Sequence, residues 1–283
     1  MEWPLRLHHR KWPLNLQTFE LSKRFPIWLC DIWGVVHNGE KPIASAVMAL
    51  QKHRAQGGVV VLISNAPRPA SAILKHMNQI GVAPDAYDHT VTSGDVTRTL
   101  MVQFGKAGLY HLGPEFDLPL FAGLDVKRVS LAEAGAVVCT GLFDELNETA
   151  QDYLGLLADM KQRNLQMICA NPDKVVRKGD LLLPCAGALA FEYLAMGGEV
   201  LMAGKPFAPI YDVALQLAGN PDRSQVLAIG DGPETDIEGA ARNGLACLFV
   251  TGGINTSATI GADVKARFPD LEIVATMPEL YWG

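Results

Sequence analysis

Residues 27–35 read Ile27-Trp28-Leu29-Cys30-Asp31-Ile32-Trp33-Gly34-Val35, an apolar run of strand length that breaks abruptly on an aspartate. A short run that is apolar throughout predicts a strand buried on both faces. The acidic residue at its end is the first candidate for chemistry, because an open parallel sheet binds its ligands in the crevice outside the carboxyl ends of its strands.

Similar runs follow at Val59–Ile63, Ala136–Cys139, Leu165–Cys169, Val226–Ile229 and Ala246–Val250. They alternate with segments of helical periodicity, Ala44–Gln56, Pro69–Ile80, Pro209–Leu217 and Thr235–Asn243. Gly57, Gly81, Gly219 and Gly244 stand just past these helices, where a left-handed cap favours glycine. The alternation predicts an α/β fold, a Rossmann-like three-layer arrangement of parallel sheet and helices.

Two further strand ends turn polar as suddenly as the first, Leu62-Ile63-Ser64-Asn65 and Ala228-Ile229-Gly230-Asp231. Asp31, Ser64 and Asp231 are therefore expected to share one crevice. About 165 residues separate the last two, too many for a single crossover in a compact sheet. They predict an inserted module with strands at Gly108–Leu112, Ala136–Cys139 and Leu165–Cys169 and a helix within Glu148–Arg163. The expected division is a discontinuous core of residues 1–94 and 199–283 and a smaller α/β insert of residues 95–198.

The whole chain sets wider bounds. Its 283 residues are 49% hydrophobic and 19% charged, as in globular proteins. No uninterrupted apolar run approaches the roughly 20 residues needed to span a bilayer. A formal net charge of −6 offers no general attraction to nucleic acid or an anionic membrane. Five cysteines, an odd number with no Cys-x-x-Cys pair, suggest neither a disulfide framework nor a zinc knuckle, and a cytoplasmic protein is expected. The basic N-terminal segment Arg6, His8, His9, Arg10 and Lys11, broken by Pro4 and Pro13, lacks the apolar stretch of a signal peptide. It reads as a surface extension or an oligomer contact, and a homodimer is a possible state.

Taken together, four fragments carry a specific resemblance. Asp31-Ile32-Trp33-Gly34-Val35, Ser64-Asn65, Gly204-Lys205-Pro206 and Gly230-Asp231-Gly232-Pro233-Glu234-Thr235-Asp236 occur in the order of the four signatures of the haloacid dehalogenase-like superfamily. Ala170-Asn171-Pro172-Asp173 and Pro184-Cys185-Ala186-Gly187-Ala188 resemble the large cap of its subgroup that includes the NagD-like phosphatases. The resemblance implies a Mg²⁺-dependent phosphatase acting on a small sugar, glycerol or nucleotide phosphate through an aspartyl-phosphate intermediate. It implies Asp31 as nucleophile, and Asp31, Asp231, Asp236 and the backbone carbonyl of Trp33 around the metal. Ser64, Asn65 and Lys205 would bind phosphate, and Asn171 and Asp173 would face the substrate from the cap.

Elementary chemistry supports the same residues. A carboxylate can attack phosphorus only if its repulsion from the anionic phosphate is overcome. A lysine point charge and a divalent ion held by one or two carboxylates supply that, and a serine hydroxyl with nearby backbone amides completes an anion nest.

One position departs from the pattern. The superfamily's phosphatases carry a second aspartate two residues after the nucleophile as general acid and base, and here that residue is Trp33. An indole N–H can only donate a hydrogen bond. Three readings follow: a phosphatase whose proton comes from a cap residue, His37 or the substrate; a protein that binds or senses a phosphorylated metabolite with little or no turnover; or another reaction of the superfamily, such as phosphonate cleavage or mutase chemistry.

Overall fold

The structure, a computed structural model, describes residues 17–178, 181–252 and 260–283. The basic N-terminal segment lies outside the described residues. The chain opens with α1 (Thr18–Arg24), β1 (Ile27–Asp31), α2 (Ala44–Ala55), β2 (Val59–Ser64), α3 (Ala70–Gln79), β3 (His89–Thr92) and α4 (Ser93–Gln103). It continues through β4 (Leu109–Leu112), β5 (Ala136–Cys139), α5 (Leu154–Gln162), β6 (Gln166–Cys169), β7 (Val175–Lys178), β8 (Leu181–Pro184) and α6 (Ala186–Ala195). The last elements are β9 (Val200–Met202), α7 (Ala208–Leu217), β10 (Val226–Gly230), α8 (Glu238–Asn243), β11 (Ala246–Val250), α9 (Ile260–Arg267) and β12 (Ile273–Met277).

Six parallel strands form the larger sheet in the order β12-β11-β10-β1-β2-β3. The chain runs outward from β1 to β3 on one side, then returns to β10 on the other side and runs outward to β12. That reversal opens a crevice at the carboxyl end of β1.

Alternate residues of the central strands point to opposite layers, and both layers are apolar. Trp28, Cys30, Val60, Leu62 and Leu227 pack with Ala46 and Leu50 of α2. Ile27, Leu29, Val61, Ile63 and Ala228 pack with Ile210, Tyr211 and Ala214 of α7 on the other side. Burial on both faces explains why these strands are continuous apolar runs rather than alternating ones.

The expected helix ends hold, with positive φ at Gly57, Gly81, Gly219 and Gly244. The helix expected from Thr235 starts differently: Pro233–Ile237 forms a π-helical turn, and only Glu238–Asn243 is α-helical. Asp236 sits in that wider turn.

A second parallel sheet has the order β4-β5-β6-β9, and β7 and β8 form an antiparallel hairpin. Leu112, Val137, Met167 and Met202 pack on one side of this sheet with Leu157 of α5 and Leu189 of α6. Met101, Leu109, Val138 and Ile168 form a smaller core on the other. The fourth strand, Val200–Met202, follows α6 and leads directly to Gly204.

All five cysteines are free and buried. Among the described residues no helix is long and apolar enough to cross a membrane.

Candidate active site

Register places the first three candidates together. Asp31 is level with Ile63 of β2, and Cys30 is level with Ile229 of β10. Ser64 follows Ile63, and Asp231 follows Gly230, so they flank Asp31 at neighbouring strand ends. Lys205 comes from the loop between β9 and α7, and Asp236 from the π-helical turn after β10.

Lys205 is the hinge of the charge arrangement. Its Nζ donates to Asp31 Oδ1 at 2.5 Å and to Asp236 Oδ1 at 2.8 Å. All three side chains are buried. Burial opposes the lysine's charge, but Asp236 and Asp31 together hold its ammonium well above the ordinary lysine range. Burial in turn pushes the Asp31 carboxyl well above the usual carboxylate range; Lys205 draws it back, while Asp236 and Asp231 add to the rise. Asp236 Oδ2 accepts from the Gly232 amide at 3.0 Å, so both of its oxygens are held by protein donors.

Oxygens of Asp31, Asp231 and Asp236 all lie within 4.8 Å of one another, a cluster able to hold a metal ion. Three buried carboxylates against one ammonium leave an excess of negative charge when ionised. A divalent cation fits that donor set, which is all oxygen and would be relieved of its mutual repulsion. Gly34, whose φ of +88° suits glycine, lets the Asp231 carboxylate come close to the loop after β1. A Cβ there would lie 2.4 Å from Asp231 Oδ2.

Phosphate-binding candidates line the other side. Ser64 Oγ accepts from the Ala66 amide at 3.2 Å, which leaves the hydroxyl proton to be donated elsewhere. Asn65 clamps the lysine loop at two points: its Oδ1 accepts from the Lys205 amide at 2.7 Å and its Nδ2 donates to the Lys205 carbonyl at 3.1 Å. The same Nδ2 donates to Asp173 Oδ1 at 2.9 Å, which joins the loop after β2 to the Asn171-Pro172-Asp173 turn after β6. Asn171 shapes that turn, its Oδ1 accepting from the Asp173 amide at 3.0 Å.

Trp33 and His37 belong to the loop beside Asp31 rather than to the charge cluster. The half-buried indole covers Gly39, where a Cβ would come within 2.6 Å of the ring, and it meets His37 edge-on at 5.5 Å between centroids. His37 is buried, and its Nδ1 accepts from the Gly39 amide at 2.9 Å. Burial, with His76 nearby, lowers the His37 pKa to about 4, so the ring is neutral at neutral pH and braces the loop.

One contributor escaped sequence reasoning. Tyr211 of α7 is buried beside the charge cluster, and burial followed by the nearby Asp236 holds its phenol well above the usual range. It lies outside the signature fragments, and only the packing of α7 on the larger sheet brings it near.

Comparison with known proteins identifies the family. The model of the haloacid dehalogenase-like hydrolase family matches residues 28–127, and a second HAD-hydrolase-like model matches residues 202–280. A crystal structure of a haloacid dehalogenase-like family hydrolase from Brucella suis 1330 is 46% identical, with a TM-score of 0.80 over 85% of this chain and 94% of that one. A 4-nitrophenylphosphatase from Schizosaccharomyces pombe is 23% identical over 92% of this chain and 95% of its own length. A glycerol phosphate phosphatase from Mycobacterium tuberculosis, solved with magnesium, is 25% identical with a TM-score of 0.66 over 83% of this chain and 71% of that one. With the four signature fragments gathered at one sheet edge and a relative of this identity spanning most of the fold, the chain belongs to the haloacid dehalogenase-like hydrolase family.

Proposed function

We propose that this protein is a magnesium-dependent phosphate monoester hydrolase acting on a small phosphorylated metabolite of sugar, glycerol or nucleotide type, with Asp31 as nucleophile. The observation that carries this reading is the single ammonium of Lys205 shared by Asp31 and Asp236 inside a buried carboxylate cluster. The phosphatase relatives, one of them solved with magnesium, support it.

Asp31, Asp231 and the backbone carbonyl of Trp33 would hold the ion, with Asp236 behind them. When bound it supplies neutralisation of the phosphate's negative charge. Lys205 keeps Asp31 oriented and screens it from the incoming phosphate. The Ser64 hydroxyl donates to a phosphate oxygen, and the Asn65 clamp fixes the distance between that hydroxyl and the lysine. Asp31 attacks phosphorus as the ester oxygen departs, and water then releases phosphate from the aspartyl phosphate. Asn171 and Asp173 bound the leaving-group side. Five buried thiols suit a reducing cytoplasm.

General acid–base help is typically worth about 10²–10⁴-fold, so the indole at position 33 is expected to slow alkyl phosphate turnover more than aryl phosphate turnover. Purified protein with Mg²⁺ is expected to hydrolyse p-nitrophenyl phosphate, and chelation or Asp31→Asn to abolish the activity. Equal rates in Asp31→Asn and the parent would refute the covalent route.

Trp33 itself favours a second reading, binding or sensing of a phosphorylated metabolite without turnover. That reading requires Mg²⁺-dependent binding in calorimetry with no phosphate released from the same mixtures.

A further inference from the structure

The reaction needs a proton at the leaving oxygen, and neither side chain of the nucleophile loop that could be asked for it is suited. Trp33 has no acidic proton to give, and His37 is buried, neutral and engaged with the Gly39 amide. Asp117, a further buried carboxyl, is paired with Arg68.

Asp173 differs from all of these. It is only partly buried. Its Oδ1 is fixed by Asn65 Nδ2 at 2.9 Å, and Asn65 in turn grips both backbone atoms of Lys205, whose ammonium rests on the nucleophile. Two residues, Asn65 and Lys205, thus link the Asp173 carboxyl to Asp31. The turn that carries it is packed closely on the first turn of α6: a Cβ on Gly187 would come within 2.4 Å of the Pro172 and Asp173 carbonyl oxygens. Burial raises the Asp173 carboxyl above the usual range, against the draw of Asn65 and Lys205, so the protonated form is favoured relative to an ordinary aspartate.

We infer that Asp173 is the general acid and base of this site, reaching from the second sheet to do the work for which position 33 has no carboxylate. The inference rests on the phosphatase reading. As the Asp31 oxygen bonds to phosphorus and the ester P–O bond breaks, the leaving oxygen takes that electron pair and the Asp173 proton and departs as an alcohol. The Asp173 carboxylate then accepts a proton from the attacking water. The water oxygen bonds to phosphorus, the Asp31–phosphorus bond breaks, and inorganic phosphate leaves with Asp173 protonated again.

Leaving-group dependence tests this directly. Asp173→Asn keeps an acceptor for Asn65 Nδ2 and removes only the acid. Turnover of glycerol phosphate, p-nitrophenyl phosphate and a series of substituted phenyl phosphates is compared in the parent and the variant. The expected result is a loss of about 10²–10⁴-fold with glycerol phosphate, at least about tenfold larger than the loss with p-nitrophenyl phosphate, and a steeper dependence of rate on leaving-group acidity across the series. Losses equal for all substrates, or no loss with glycerol phosphate, would overturn the role. A parent protein inactive on every substrate, or an Asp31→Asn variant as active as the parent, would instead overturn the phosphatase reading itself.

Discussion

Gly34 shows how closely the backbone is fitted to the carboxylate cluster. At φ +88° an alanine pays about 1–2 kcal/mol for a left-handed conformation, and its methyl would stand 2.4 Å from Asp231 Oδ2. The strain lowers stability with or without the ion, but the methyl would also displace the Asp231 carboxylate, so Gly34→Ala is expected to weaken Mg²⁺ binding by about tenfold, or about 1.4 kcal/mol, while the circular dichroism of the fold is kept. Calorimetric Mg²⁺ titration of the two proteins checks it, and equal affinities would count against Asp231 as a ligand. Asp31, Ser64, Lys205 and Asp231 were legible from sequence because each ends an apolar run or sits in an ordered signature. The bond from Asn65 to Asp173 was not, because the partners are 108 positions apart and no periodicity links them.

At the scale of elements, the turn after β6 stands on the N-terminal end of α6. Gly187→Ala would force a methyl into the carbonyls of Pro172 and Asp173, and overpacking of that kind costs about 1–3 kcal/mol. The expected outcome is a lower urea midpoint together with reduced phosphate ester turnover, because the displaced turn carries Asp173; an unchanged midpoint would mean that the turn yields freely. The buried central strands were readable as continuous apolar runs, whereas β3, whose exposed His89 opens a strand at the sheet edge, gave no such signal. β9 is only Val200–Met202, and its pairing with β6 rather than with the larger sheet depends on tertiary context that a short run cannot express.

Across the whole molecule, stability is expected to depend on pH through buried histidines. His53 stacks on Trp28 with centroids 3.8 Å apart, its Nδ1 lies 2.8 Å from Ser22 Oγ, and its Nε2 lies 3.2 Å from the Pro26 carbonyl. Burial lowers its pKa from 6.5 to about 4, and His37 and His111 are lowered to about 4 by the same cause. Between those values the unfolded chain binds protons that the folded one refuses, so stability is full above about pH 6.5 and falls as pH drops toward 4. His53 alone is worth about 2–3 kcal/mol over that window. Urea midpoints at pH 7 and pH 5 measure it, and His53→Gln is expected to start lower at pH 7 but lose less on acidification. A parent midpoint that does not move would contradict the burial of neutral imidazoles.

The proposed mechanism makes Asp31, at the sheet edge beside the lysine loop, the group that bonds to phosphorus. Acid quenching during turnover of p-nitrophenyl phosphate with Mg²⁺, followed by peptide mass spectrometry, tests that most directly. The expected result is one phosphoryl group on the peptide containing Asp31, absent in Asp31→Asn. Phosphate release with no phosphorylated peptide, or with the phosphoryl group on another residue, would contradict it.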